Sequence, residues 1–313
     1  MNQSEPLSKS YSYRVIAVFV AAIVLLAVVI ALRPSSASGI PKSLFWQKKF
    51  KGDQEFRLVA AGDSRTLRDI VPEEFSAHGL GAALNFGFQG AALGEKFLDE
   101  AVSRLEGQKE PVLLLGVTPN AFTPSAERSN GFDKSKSDLS RWDSYTPNWY
   151  RRIAQQLEPM SLAELRQIIS RRPSRKKEVY HADGWLETIQ KKPNEKYALR
   201  FYRDRFNQNM ASPKLVDQFL TQVAELSEKK IRVFAFRPPI TQAMADIENE
   251  KSGFDYSEFK TKFALAGGTW IDVVDTDYQT YDGSHLVGES ARRLTQLLAK
   301  SISEHLNSNQ VAR

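Results

Sequence analysis

The chain has 313 residues, 42% of them hydrophobic, enough for one large α/β domain or two small ones with a sizeable core. Its formal charge is +6, from 43 basic and 37 acidic residues; so mild a balance favours anionic surfaces without requiring nucleic acid. There are no cysteines, which excludes disulfides, thiolate metal sites and a lipoprotein anchor and leaves the compartment open.

Residues 1–14 are polar and carry Lys9 and Arg14. Val15 to Leu32 is then an uncharged run without Pro or Gly, and at 1.5 Å per residue it spans about 27 Å, close to a bilayer core. A buried helix of this length is unusual in a water-soluble domain. A cleaved signal peptide is the better rival, with Ser36-Ala37-Ser38 as its cleavage site, but its apolar region would be unusually long. The expectation is an uncleaved single-pass anchor. Arg33, Lys42, Lys48, Lys49 and Lys51 follow the span, yet a long C-terminal domain translocates despite such charges. The N-terminus is therefore expected inside the cytoplasmic membrane and the bulk of the chain outside it. Pro34 to Gly39 reads as a linker. Ile40 to Phe50 mixes aromatics with lysines and suits either the lipid interface or a solvated approach to the domain. The expected organisation is 1–33 N-terminus and anchor, 34–54 linker, 55–308 α/β domain and 309–313 tail.

Arg57 to Asp63 is a short apolar strand that runs into Gly62-Asp63-Ser64 and a helix-like segment. Residues 82–86 make a second strand. A helix from Ala92 to Glu106 places Leu93, Phe97, Val102 and Leu105 on one face. Pro111 to Val117 is continuously apolar, as in a parallel strand covered on both sides. Residues 214–230 form an amphipathic helix with Leu215, Phe219, Val223 and Leu226 inward. Ile231 to Phe236 and Trp270 to Val274 are strands. Val287 to His305 is a helix with Ala291, Leu294, Leu298 and Ile302 inward. Strands alternating with helices imply a parallel sheet with helices on both faces.

Residues 121–212 interrupt that rhythm and are too long for an ordinary loop, so they read as an insertion. Arg166, Arg171, Arg172, Arg175, Lys176 and Lys177 make a basic run in it. Such a run is usually a solvated face; the functional alternative is contact with anionic lipid or polymer. Tyr180 to Trp185 is either part of a substrate groove or an ordinary turn with a packed Trp.

Four short blocks carry the chemistry. Ser64 lies at the carboxyl end of a buried strand, where open α/β sheets put their ligands. Asn85 to Gly90 and Gly116 to Asn120 each follow an apolar run. Tyr281-Asp282-Gly283-Ser284-His285 places a carboxylate three residues before a histidine. His78, His181 and His305 are scattered, and there is neither a metal constellation nor a Gly-rich phosphate loop. No cofactor is expected.

In this order the blocks resemble the SGNH (GDSL-like) hydrolase superfamily over roughly residues 55–305. The resemblance implies a three-layer α/β/α, flavodoxin-like fold with a mostly parallel sheet. It implies Ser64 as nucleophile, His285 as general base and Asp282 as the residue that orients it. It also implies an oxyanion site from the N–H groups of Ser64 and Gly90 and the amide of Asn120. Gly90 is preferred to Gly87 because the family's oxyanion Gly falls five residues after the motif Asn, here Asn85. Arg65 replaces the usual Leu, and Thr118-Pro119-Asn120 replaces Gly-x-Asn-Asp. Pro119 and Phe122 look more like the membrane-anchored branch, which includes the DltD proteins of teichoic-acid D-alanylation and the alginate-acetylation proteins. That branch works beside membrane-bound O-acyltransferases. The expected function is an anchored acyltransferase or esterase on a cell-envelope glycan or polymer, with such an acyltransferase as partner. A stand-alone esterase and a non-catalytic envelope protein of the same fold are the alternatives.

Overall fold

The computed structural model describes residues 9–31, 39–40, 42–51, 55–145, 176–274 and 277–311. Two helices come first, α1 (Lys9–Ala31) and α2 (Lys42–Lys51). The strands β1 (Leu58–Gly62), β2 (Ala83–Gly87), β3 (Val112–Gly116), β6 (Arg232–Phe236) and β7 (Thr269–Trp270) form one sheet. Its order is β2-β1-β3-β6-β7 and every pairing is parallel.

Side chains alternate across a strand, so each strand feeds two cores. Leu113 and Leu115 of β3 join Val59, Phe86, Phe97, Phe219 and Phe263. They pack under α5 (Glu95–Ser103), α9 (Pro213–Glu228) and α11 (Tyr256–Leu265). Val112 and Leu114 face the other way and join Leu58, Phe75, Leu294, Leu298 and Ile302. Those lie with α4 (Pro72–Ala77) and the C-terminal helix α12 (Gly288–Val311). Both faces are covered, which is why the strands read as unbroken apolar runs. The expected α/β fold with a parallel sheet is therefore present. Strand order reverses between β1 and β3, and open α/β sheets place their ligands at the carboxyl edge of such a switch point.

The structure departs from expectation in three places. The last strand stops at Trp270; Ile271 makes one more bond to Ala235 O at 2.8 Å, and Val274 is exposed. The region 121–212 carries its own elements: α6 (Pro124–Arg128), α7 (Gly131–Tyr145), an antiparallel hairpin of β4 (Lys176–Tyr180) and β5 (Leu186–Gln190), and α8 (Lys196–Gln208). Its turn docks on the free edge of β2, where Asn85 N–H donates to Asp183 O at 2.8 Å, and so protects an edge strand. Trp185 is packed, in line with the ordinary-turn alternative, with Nε1 donating to Arg68 O at 2.8 Å. Arg166, Arg171, Arg172 and Arg175 lie outside the described residues, while Lys176 and Lys177 are exposed.

The third departure is α2. Ile40 to Phe50 is neither interfacial nor a solvated approach, because Phe45 and Phe50 are buried and Trp46 stacks on Phe88. Lys49 is fully buried, surrounded by the Phe45, Trp46 and Phe88 rings, and donates to Gly87 O at 2.7 Å. Burial drives its ammonium well below the ordinary lysine range, against the pull of Asp183. Among the described residues no helix is long and apolar enough to cross a membrane, and the expected span ends at Leu32, outside them.

Candidate active site

The site begins with three glycines. Gly62, Gly87 and Gly116 end β1, β2 and β3 and stand opposite one another in register. Without side chains they make a flat floor, and α3 (Ser64–Asp69) lies on it. A Cβ on Gly87 would overlap the Leu67 backbone, and one on Gly62 or Gly116 would overlap the Thr66 hydroxyl. Gly87 thus serves close packing and not only a turn.

Asp63 caps α3 by accepting from Arg65 N–H at 2.9 Å. Its other oxygen accepts from Thr118 Oγ1 at 2.7 Å, which ties the loop after β3 to the start of the helix. The far end of α3 is held by Asn85, fully buried on β2, whose Nδ2 donates to Thr66 O at 2.7 Å and Ile70 O at 2.8 Å. The second bond satisfies a carbonyl that the helix end leaves without a partner, while the first adds to the Ile70 N–H already on Thr66 O.

The loop before α12 supplies the second half. Thr280 bridges Leu286, and Tyr281 N–H donates to His285 O at 3.0 Å. Gly283 has φ +82°, the left-handed conformation that closes this turn. Asp282 Oδ1 accepts from the N–H groups of Ser284 and His285 at 3.0 and 2.9 Å. Its Oδ2 lies 2.9 Å from His285 Nδ1, and His285 Nε2 lies 2.9 Å from Ser64 Oγ. Ser64 and His285 are 221 residues apart in sequence, so only the fold joins them.

An ionised carboxylate only accepts, so Nδ1 carries the imidazole proton and Nε2 is free to accept from the Ser64 hydroxyl. Burial works to raise the Asp282 carboxyl. The bond and charge of His285, with the two backbone N–H groups, outweigh it and hold the carboxyl below the ordinary range. Burial lowers the His285 imidazole; Asp282 pulls it back up, Arg68 and Arg65 push it down, and it stays below 6.5. At neutral pH the ring is uncharged and basic at Nε2.

Gly90 and Asn120 sit on the loops after β2 and β3, the strands on either side of β1. Phe88 N–H donates to Gly62 O at 3.0 Å, which brings the Gly90 turn alongside the end of β1. Gly90 has φ +69°, and the position of its absent Cβ faces open space. Asn120 lies in a 3-10 turn (Pro119–Phe122), nearly buried, and its Oδ1 has no partner among the described residues. Ser64, Asp282 and His285 are thus joined by hydrogen bonds, while Gly90 and Asn120 flank the serine strand at the same sheet edge. No cluster of three or more His, Cys, Asp or Glu able to hold a metal occurs among the described residues.

In the sequence Asn85 reads only as a spacing marker and Arg65 only as a departure from the family pattern. Both are buried polar residues in a helix–strand packing interface, where partners are obligatory. A buried-looking Asn inside the apolar strand 82–86 was the available signal.

No family model matches the chain, and no curated protein matches it. Among solved structures it is similar to a provisionally named platelet activating factor from Streptococcus pneumonia, at 11% identity and TM-score 0.38, over 85% of this chain and 91% of that one. A provisionally named acylhydrolase from Bacteroides fragilis NCTC 9343 aligns at 12% identity and TM-score 0.38, over 88% and 99%. A carbohydrate acetylesterase from Sinorhizobium meliloti aligns at 11% identity and TM-score 0.35, over 79% and 99%. Likenesses this distant carry no argument about the chain, whose fold and site rest on its own geometry.

Proposed function

We propose that the protein is a membrane-anchored, extracytoplasmic serine esterase or O-acyltransferase of SGNH-like type, acting on an acylated cell-envelope glycan or polymer. The observation that carries this reading is the unbroken hydrogen-bond chain from Ser64 through His285 to Asp282. Ser64 Oγ attacks the ester carbonyl while His285 Nε2 takes its proton, and Asp282 stabilises the imidazolium that forms. The N–H groups of Ser64 and Gly90 and the Asn120 amide receive the developing oxyanion; one such donor is typically worth about 3–4 kcal/mol. His285 then protonates the departing alkoxide, leaving an acyl group on Ser64. Water or an acceptor hydroxyl, deprotonated by the same imidazole, takes the acyl group and frees the serine.

Anchoring is supported by α1, whose Val15, Phe19 and Leu25 are all more than half exposed although the helix carries no polar face over 15–31. Apolar surface of that kind calls for lipid or a partner. A membrane-bound O-acyltransferase is the partner proposed, as acyl donor. A reporter fused after Arg313 should be active only in exported form; activity confined to the cytoplasm would sink the envelope reading. Turnover of a nitrophenyl ester tests the chemistry. Ser64→Ala and His285→Ala should each lower kcat by roughly 10³-fold or more, and the double variant should fall little further.

A further inference from the structure

The helix that carries the serine also grips the loop that carries the histidine. Arg65 Nε donates to Ser284 Oγ at 3.0 Å, and Asp69 Oδ1 accepts from Leu286 N–H at 2.9 Å. Ser284 and Leu286 are the immediate neighbours of His285. Arg65 and Asp69 lie four residues apart on α3, on one side of the helix. The two bonds therefore bracket His285 from both sides.

Arg65 is itself held rigidly. Its side chain is fully buried, its Nη2 donates to Glu248 Oε1 at 2.6 Å, and its guanidinium stands 5.4 Å from the centre of the Tyr202 ring. Glu248, equally buried on α10 (Gln242–Lys251), accepts from Arg237 through its other oxygen at 3.2 Å. A buried ion pair is weak evidence for stability, since apolar residues of similar volume often do as well. A fork that places one donor on the carboxylate and another on the residue beside His285 points instead to orientation.

We propose that Arg65 and Asp69 form a clamp that sets the Ser64–His285 distance, with Arg65, braced by Glu248, as a positioning residue for the base. The clamp rests on the esterase or acyltransferase reading above. Misplacing a reacting group by about 1 Å can cost on the order of 100-fold in rate, so the clamp acts on turnover and not on substrate affinity.

The test uses the full chain in detergent micelles, with Ser284→Ala, which deletes one hydroxyl, and Arg65→Lys, which keeps the charge but loses the fork. For each, kcat and KM are measured on a nitrophenyl ester. The rate at which a fluorophosphonate labels Ser64 is measured per folded molecule, with the folded fraction taken from circular dichroism. The expected result is a fall of about 10- to 100-fold in both kcat and labelling rate for Ser284→Ala, with KM within about twofold. Arg65→Lys should fall by a smaller factor in the same two readouts. Wild-type labelling and kcat per folded molecule in both variants would overturn the clamp, because loss of folded protein alone would then explain any lower activity. A wild-type chain that neither labels nor turns over would overturn the catalytic reading itself, and the clamp with it.

Discussion

Asn85 donates from one amide nitrogen to Thr66 O at 2.7 Å and Ile70 O at 2.8 Å, so a strand residue holds the end of the helix that begins with Ser64. Its Oδ1 accepts from Gly87 N–H at 2.9 Å, which leaves no polar group of this buried side chain idle. Asn85→Ala strands the Ile70 carbonyl and the Gly87 N–H, each worth about 1–3 kcal/mol when unsatisfied. A destabilisation of at least about 2 kcal/mol is expected, read from denaturant unfolding of the full chain. Asn85→Asp should be no better, because a carboxylate cannot donate. A near-neutral Asn85→Ala would contradict this account of how the serine helix is held.

The glycine floor gives a second prediction. On Gly116 a Cβ meets the Thr66 hydroxyl, whereas on Gly87 it meets the Leu67 backbone. A side chain can be removed; a backbone cannot. Gly116→Ala should therefore be destabilising alone, by about 1–3 kcal/mol, and should be partly rescued by Thr66→Ala. Gly87→Ala should show no such rescue. Additive effects in the Gly116/Thr66 cycle would argue against the close approach.

Asp69 makes stability depend on pH. Burial raises its carboxyl well above the ordinary value, against the Leu286 N–H and Arg65. The folded chain therefore keeps a proton that the unfolded chain releases near its ordinary pKa of about 3.9. This group's contribution is full below that value and is lost as pH rises towards the folded pKa. Asp69→Asn, which has no proton to lose and keeps the acceptor for Leu286, should raise the unfolding temperature at pH 7. The gain should shrink below about pH 4. A variant less stable than wild type at pH 7 would contradict the sign.

Catalysis should depend on pH in the opposite sense. His285 must be neutral at Nε2 to take the Ser64 proton, and burial keeps its pKa below 6.5. The acid limb of kcat/KM, which reports the free enzyme, should be centred below pH 6.5. A limb centred above 7 would mean that the Asp282 pairing outweighs burial.

Much of this was legible in the sequence because parallel strands are covered on both faces and so read as apolar runs. The strands around Leu58, Leu114 and Phe234 and the inward faces of α9 and α12 follow from that pattern. Ser64, Asp282 and His285 stood out through the resemblance of their blocks to the SGNH pattern, and the structure joins the three by hydrogen bonds. The hairpin was not, since β4 reads Lys-Lys-Glu-Val-Tyr and only Val179 is buried there. Nor was the packing of α2, because Lys49 occupies a core position that a lysine almost never takes. Arg65, Glu248 and Ser284 come together only in three dimensions, and no periodicity links positions 65, 248 and 284.

Activation of Ser64 as a nucleophile by His285, whose Nε2 lies 2.9 Å from it, can be tested on the protein itself. The most direct measurement is fluorophosphonate labelling of the full chain, followed by mass spectrometry of the labelled peptide. One adduct is expected, on Ser64, absent in Ser64→Ala and slowed by at least about 100-fold in His285→Ala. A folded chain that takes no label at Ser64, or that labels as fast without His285, would contradict it.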